Sequence, residues 1–162
     1  MKIIDNFLTD DVFKKIYDII MGTNIDWHFS PTVAYSSEKE IYENYVNSHL
    51  AYTNNQPQSN IYQCLLPLIE DSRLEVKSLM RIIINMYPYT TKIKIHGEHI
   101  DYPFKHKGAI LYLNSCDGYT FCEGQKVYSK SNRVLLHDPS KYHHSTTTSN
   151  KQRRVICNLN YF

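Results

Sequence analysis

No apolar run in this sequence approaches the roughly 20 residues that a membrane-spanning helix requires. The opening Met1-Lys2-Ile3-Ile4-Asp5-Asn6-Phe7 also lacks the apolar stretch of a secretory signal, so a cytoplasmic protein with no membrane partner is expected. Cysteine is sparse. Cys64, Cys116, Cys122 and Cys157 form no Cys-x-x-Cys pair, and in a reducing compartment they read as free thiols rather than a zinc site or a disulfide framework. Net charge is small at +2, and the basic residues are spread along the chain. That leaves nucleic acid neither indicated nor excluded, because a binding domain concentrates its basic residues on one face. Internal repeats, low-complexity segments and a composition break are all lacking. The 162 residues are therefore expected to form one domain with a single core.

Tyrosine, in contrast, is abundant at 14 residues, and it suits β-structure and half-polar pockets. The first half reads mainly helical. Thr9 before Asp10 and Asp11 is a helix start, Phe13, Ile16, Tyr17, Ile19 and Ile20 recur at helical spacing, and Gly22 is a stop. Residues 23–50 read as irregular with short strands, 54–59 as a loop and 60–69 as a second helix running to about 71. From residue 78 the period changes. Strands are expected over 78–87, 92–96, 109–114, 118–121, 125–128, 133–136 and 154–162. Short strands separated by polar turns suggest a barrel or double-sheet jelly roll over about 76–162. A helical part over about 1–75 would buttress it, giving an α+β, mainly β, class.

Chemistry concentrates in that second half. In His99-Ile100-Asp101 a histidine and an aspartate stand at i and i+2, so on extended backbone they project from one face. A third donor can come from His143 or His144, after the Asp138-Pro139-Ser140 turn. Neighbours on a strand face opposite ways, so only one of the two can join. Two imidazoles and one carboxylate are the ligand set of a non-heme Fe(II) facial triad, which keeps positions open for an oxidisable ligand and O₂. His96-Gly97-Glu98 is a competing pair. The shorter Asp101 and the extended turn Tyr102-Pro103-Phe104 favour His99 and Asp101, and His106 and His137 read as solvent or packing histidines. On the last strand residues 154, 156, 158 and 160 share a face. Arg154 can bind an acidic co-substrate through a bidentate guanidinium, and Arg153 becomes an outward, solvated cation.

Several segments, in this order, resemble the Fe(II)/2-oxoglutarate-dependent dioxygenase superfamily in its prolyl-4-hydroxylase-like branch, and within it small members carried by bacteriophages. They are Asp5-Asn6-Phe7-Leu8, the early Trp27, residues 85–101, Tyr112-Leu113-Asn114 followed by Gly118-Tyr119-Thr120-Phe121, Asn132-Arg133, and residues 143–158. Cys116-Asp117 before a single Gly118 departs from the two glycines of many relatives. A short interval between carboxylate and distal histidine implies reduced loops around the substrate.

The resemblance implies a double-stranded β-helix (jelly-roll, cupin-like barrel) in which His99, Asp101 and His143 bind Fe(II). It favours His143 over His144, because the run His144-Ser-Thr-Thr-Thr-Ser-Asn150 resembles a family stretch that begins one residue after the ligand. It implies that Arg154 pairs with the distal carboxylate of 2-oxoglutarate, that Tyr112 hydrogen-bonds the same carboxylate, and that Tyr87 lines the pocket. The implied reaction is hydroxylation of a C–H bond with release of succinate and CO₂, in the host cytoplasm if the chain is viral. The unknown substrate is a prolyl or other protein side chain by preference, or a nucleobase or a small molecule. Tyr35, Tyr87, Tyr89 and Tyr102 could wall a peptide groove, and Lys92, Lys94, Lys105 and Lys107 could guide a nucleobase. The alternative is a non-catalytic viral barrel module that binds a metal or a carboxylate.

Overall fold

The structure is a computed structural model, and it describes residues 1–34 and 45–162. Among these residues an eight-stranded antiparallel sheet is built from β1 (Lys2–Ile4), β2 (His28–Ser30), β3 (Val46–Thr53), β4 (Gln56–Pro57), β5 (Leu79–Pro88), β6 (Lys107–Tyr112), β9 (Arg133–His137) and β11 (Arg153–Tyr161). Its order is β1-β9-β6-β11-β5-β3-β2, with β4 on β3. The remaining strands, β7 (Tyr119–Cys122), β8 (Gln125–Tyr128) and β10 (His143–Ser145), form a second sheet in the order β10-β7-β8. Crossing between sheets in this way is the jelly-roll architecture expected from the sequence.

Strand periodicity assigns the two faces of the large sheet. Ile82 and Ile84 of β5, Ala109 and Leu111 of β6, and Val155, Cys157 and Leu159 of β11 are buried in one core. Ile16 and Ile20 of α1 (Asp10–Met21) join them there, with Leu65, and Leu68 of α3 (Leu66–Ile69). The alternate residues Tyr87, Ile110, Tyr112 and Ile156 turn the other way and pack with Cys122 and Val127 of the small sheet. One face of the large sheet is thus sealed by helices and the other faces the small sheet. Full burial of each large aliphatic side chain contributes about 1.5–3 kcal/mol, so both faces are held by packing. Asn132 ties the N-terminal segment to the barrel, accepting from the Leu8 N–H at 3.0 Å and donating to the Leu8 carbonyl at 2.8 Å. The β7–β8 turn places Glu123 and Gly124 at φ 48° and 78°, the positive pair of a tight hairpin.

Helix α1 begins after Thr9, as its sequence predicts, but the Thr9 hydroxyl makes no capping bond. The first turn gains instead from Asp10 and Asp11 at the positive end of the helix dipole. Gly22 ends it by allowing close approach, since a Cβ there would stand 2.7 Å from the Asp18 carbonyl oxygen.

The part over residues 1–75, expected to be helical, also supplies β1 to β4 to the large sheet, and three segments differ further from expectation. Residues 46–50, read within an irregular stretch with short strands, belong to the eight-residue strand β3, which runs on to Thr53 against β5. Its polar Asn47, Ser48 and His49 hide the alternation, because the face bearing Ser48 lines a polar cavity rather than a core. The expected second helix breaks into two single turns, α2 (Ile61–Cys64) and α3, with Pro67 at the start of the latter, where it has no N–H to donate. Residues 92–96 make no strand. Ile95 stays 61% exposed, and the pairing with residues 145–147 goes no further than a single bridge to Thr146, held by the Thr147 N–H on the Lys94 carbonyl and the His96 N–H on the Ser145 carbonyl. None of the described helices is long and apolar enough to cross a membrane.

Candidate metal centre

β10 carries His143 toward the interior of the jelly roll, and an isolated bridge places residues 99–101 beside it. His99 and His143 donate their backbone N–H groups to each other's carbonyls, both at 3.0 Å. The Asp101 N–H is held by the Pro139 carbonyl at 2.9 Å. Nε2 of His99 and Nε2 of His143 each lie 3.7 Å from Asp101 Oδ1. One donor atom from each of the three residues falls within 4.8 Å of the others, a spacing that suits ligation of one ion.

The hydrogen bonds around the three fix which atoms face inward. His99 Nδ1 is 3.2 Å from the Gly97 carbonyl, and His143 Nδ1 is 2.9 Å from the Lys141 carbonyl. A carbonyl can only accept, so each Nδ1 carries the proton and each Nε2 offers a lone pair to the centre. Burial pushes the His143 imidazole below its ordinary pKa, which keeps the ring neutral. Burial alone would raise the Asp101 carboxyl. The Arg81 guanidinium, the Asn160 amide and the two imidazoles outweigh it and hold the group below the usual carboxylate range. These are the protonation states that metal binding needs. The donor set fits a divalent ion such as Fe(II).

His144 is not part of this cluster. Its ring stacks on Phe121 at 4.9 Å with 10° between planes, and its Nδ1 lies 3.5 Å from Glu98. The competing pair separates as well, His96 being buried with Nδ1 2.7 Å from the Ser145 hydroxyl while the Glu98 side chain is 60% exposed. His106 and His137 are packing histidines, but they pack on the centre. The His137 ring lies 5.2 Å from that of His143, and His106 is buried behind Asp101.

On the face of β11 whose Ile156 and Asn158 line the cavity beside the cluster stands Arg154, which is 0% exposed. Its guanidinium donates to the Ser129 hydroxyl at 2.7 Å, the Thr120 hydroxyl at 3.0 Å and the Thr146 carbonyl at 3.2 Å. Every partner is neutral, and among the described residues no carboxylate lies within ion-pair distance. The rings of Tyr87 and Tyr112 flank it, their centroids 5.3 and 5.7 Å from its central carbon. Burial pushes the Tyr112 phenol up to about 12, so it stays a donor, and among the described residues its hydroxyl has no hydrogen-bond partner. A buried cation beside an unpaired hydroxyl is an electrostatically incomplete site, suited to a carboxylate. Arg153 corrects the sequence reading. It is half-buried rather than solvated, and it donates to the Met21 carbonyl at 2.6 Å to close the C-terminal end of α1.

The metal cluster opens on a cavity of about 320 Å³ lined also by Arg81, Asn85, Tyr87, Thr120, Ser145 and Asn158. Sequence reasoning did not single out Arg81, Asn160, Thr120 or Ser129. For the first two a signal existed: polar residues at period two in otherwise apolar β5 and β11. Tyr35 lies outside the described residues.

No family model and no curated protein matches the sequence. Solved structures do share the fold. A prolyl hydroxylase from Trichoplax adhaerens, in complex with a hypoxia inducible factor peptide fragment, aligns with a TM-score of 0.64 at 16% identity, over 99% of this chain and 82% of its own. HygX from Streptomyces hygroscopicus, with nickel and 2-oxoglutarate bound, aligns with a TM-score of 0.64 at 12% identity, over 98% and 81%. A predicted oxalate decarboxylase from Thermotoga maritima aligns with a TM-score of 0.53 at 12% identity, over 86% and 94%. At these identities the likeness is one of fold, and one fold hosts more than one chemistry, so function must be argued from the site.

Proposed function

We propose that this protein is an Fe(II)- and 2-oxoglutarate-dependent oxygenase that hydroxylates a C–H bond and releases succinate and CO₂. The observation that carries the reading is Arg154, a fully buried cation with no carboxylate partner among the described residues, whose neighbours Tyr87 and Thr120 line the same cavity as His99, Asp101 and His143. A barrel that bound metal alone would not need to bury this charge. The 2-oxoglutarate bound in HygX, a protein of the same fold, agrees with the assignment.

In this reading His99, Asp101 and His143 hold the metal, and Arg154 with Tyr112 receives the distal carboxylate of 2-oxoglutarate. Tyr87 closes the wall between the two. Bound Fe(II) with 2-oxoglutarate and O₂ supplies the oxidising chemistry. The chain contributes two imidazoles held by their Nδ1 bonds to backbone carbonyls, an oriented carboxylate, a fixed cation and the cavity they line.

The proposed substrate is a peptidyl side chain, with prolyl favoured. Tyr89, which is 52% exposed, and Tyr102 are available as aromatic walls, and the Trichoplax protein of this fold holds a peptide. The basic approach for a nucleobase is weaker, since Lys107 is engaged with Glu75 at 2.7 Å. A viral protein acting in the host cytoplasm is the proposed setting, on the sequence resemblance alone.

The decisive experiment is anaerobic titration with Fe(II) and then 2-oxoglutarate, watching the visible charge-transfer band. A band that needs both, followed by succinate release in air, is expected. Metal binding without a band would move the assignment to a non-catalytic binding module.

A further inference from the structure

Behind the metal cluster lies a second layer of polar groups that the proposed chemistry does not itself require. Asp101 Oδ2, the oxygen turned away from the histidines, accepts from Asn160 Nδ2 at 2.7 Å and lies 3.3 Å from Arg81 Nη2. Asn160 Nδ2 is also 3.1 Å from His106 Nε2, and Asn160 Oδ1 accepts from Arg81 Nε at 3.2 Å. Arg81 and Asn160 face each other across the β5–β11 ladder. Asn160 is 1% exposed and His106 5%.

The direction of each bond follows from the chemistry of the donors. Arg81 Nε can only donate, so the carbonyl oxygen of Asn160 must face it and the amide cannot be flipped. The amide nitrogen then points at Asp101 Oδ2 and His106 Nε2 together. His106 Nδ1 lies 2.8 Å from the Phe104 carbonyl and therefore carries the ring proton, which leaves Nε2 free to accept. All four polar atoms of the Asn160–His106 pair are used. Turning Asp101 to offer both oxygens to an ion would leave a buried amide N–H unpaired.

We propose that Asn160, locked between Arg81 and His106, is a positioning residue that restricts Asp101 to one-oxygen metal ligation through Oδ1. This rests on the metal-centre reading given above and extends it. A carboxylate that ligates through both oxygens takes one more place on the ion. Keeping Oδ2 occupied by Asn160 preserves the open places that a chelating co-substrate and O₂ would fill.

The test is titration of the full-length apoprotein with Co(II) alone, following affinity and the visible ligand-field spectrum, in the parent protein and in Asn160→Leu, His106→Leu and His106→Gln. Asn160→Leu is expected to lose 10- to 100-fold in Co(II) affinity and to show a changed spectrum. His106→Leu should lose part of that affinity. His106→Gln, which restores an acceptor facing Asn160, should recover it. Parent affinity and spectrum in Asn160→Leu would overturn the proposal. So would equal losses in His106→Leu and His106→Gln, because packing alone would then explain them. If Asn160→Leu does not fold, the His106 pair decides the matter. Failure of the parent protein to bind Co(II) at all would overturn the metal-centre reading itself, an outcome distinct from the others.

Discussion

His99 and His143 are locked backbone to backbone, each donating its N–H to the other's carbonyl at 3.0 Å, with ring centroids 4.5 Å apart. Pairing of main chains sets this spacing, so the two Nε2 atoms are presented to one point before any ion arrives. A preorganised site of this kind avoids the cost of ordering its ligands during binding.

Removal of any one donor should therefore abolish tight binding. His99→Ala, Asp101→Ala and His143→Ala are each expected to bind no Fe(II) or Co(II) under anaerobic dialysis with metal analysis. His144→Ala should retain a full equivalent, because that ring stacks on Phe121 outside the cluster. Retention of metal by the first three would sink the triad.

Arg154 and its neighbour in sequence have separable effects. Arg154→Met should weaken 2-oxoglutarate by roughly 2–5 kcal/mol, the usual cost of leaving a buried charged group unpaired, while Co(II) binding survives. Arg153→Met should leave both ligands bound normally and lower the melting temperature slightly, since it loses the bond to the Met21 carbonyl. Calorimetric titration of the two variants side by side checks this. Loss of 2-oxoglutarate binding in Arg153→Met instead would reverse the assignment of faces on β11.

Acid should destabilise the fold through His96. Burial, and then the charge of Arg154, push its imidazole down to about 3 from 6.5. Between these values the unfolded chain binds a proton that the folded chain refuses. The contribution is therefore complete above about pH 6.5 and is lost as pH falls toward 3. At pH 5 the loss is about 2 kcal/mol from this one group. Urea unfolding at several pH values should show that slope in the parent protein and a shallower one in His96→Leu. Identical slopes would remove His96 from the account.

Much of this was readable in the sequence, for a simple reason. Period-two alternation fixes faces, and it correctly separated Arg154, Ile156, Asn158 and Asn160 from Arg153, Val155, Cys157 and Leu159. The same rule put His99 with Asp101. Where the interior face is polar the rule lost its signal. β3 is hidden because Ser48 faces the cavity, and the partnership of Arg81 with Asn160 depends on the β5–β11 register, which alternation within one strand does not give. The His143-or-His144 choice depended on which way a three-residue strand presents its side chains. Alternation alone says only that they differ, and it is the bridge to His99 that brings His143 inward. The partners of Arg154, namely Thr120, Ser129 and the Thr146 carbonyl, come from separate segments that only the fold brings together.

Gly118 offers a test of that assembled cradle without replacing any polar side chain. A Cβ at this position would stand 2.5 Å from the Thr147 carbonyl oxygen and 2.6 Å from Arg154 Cδ, so the arginine stem must shift to admit it. Gly118→Ala is expected to lower 2-oxoglutarate affinity at least tenfold, about 1.4 kcal/mol, while Co(II) binding stays intact because the triad lies on other segments. Gly124→Ala is the matched control. Its φ of +78° makes alanine strained, yet nothing lies within 4 Å of the added carbon. It should cost about 1 kcal/mol of stability and leave both ligands bound as before. Undiminished 2-oxoglutarate affinity in Gly118→Ala would show that the position of Arg154 does not set co-substrate binding, and the carboxylate would have to be sought elsewhere on the cavity wall.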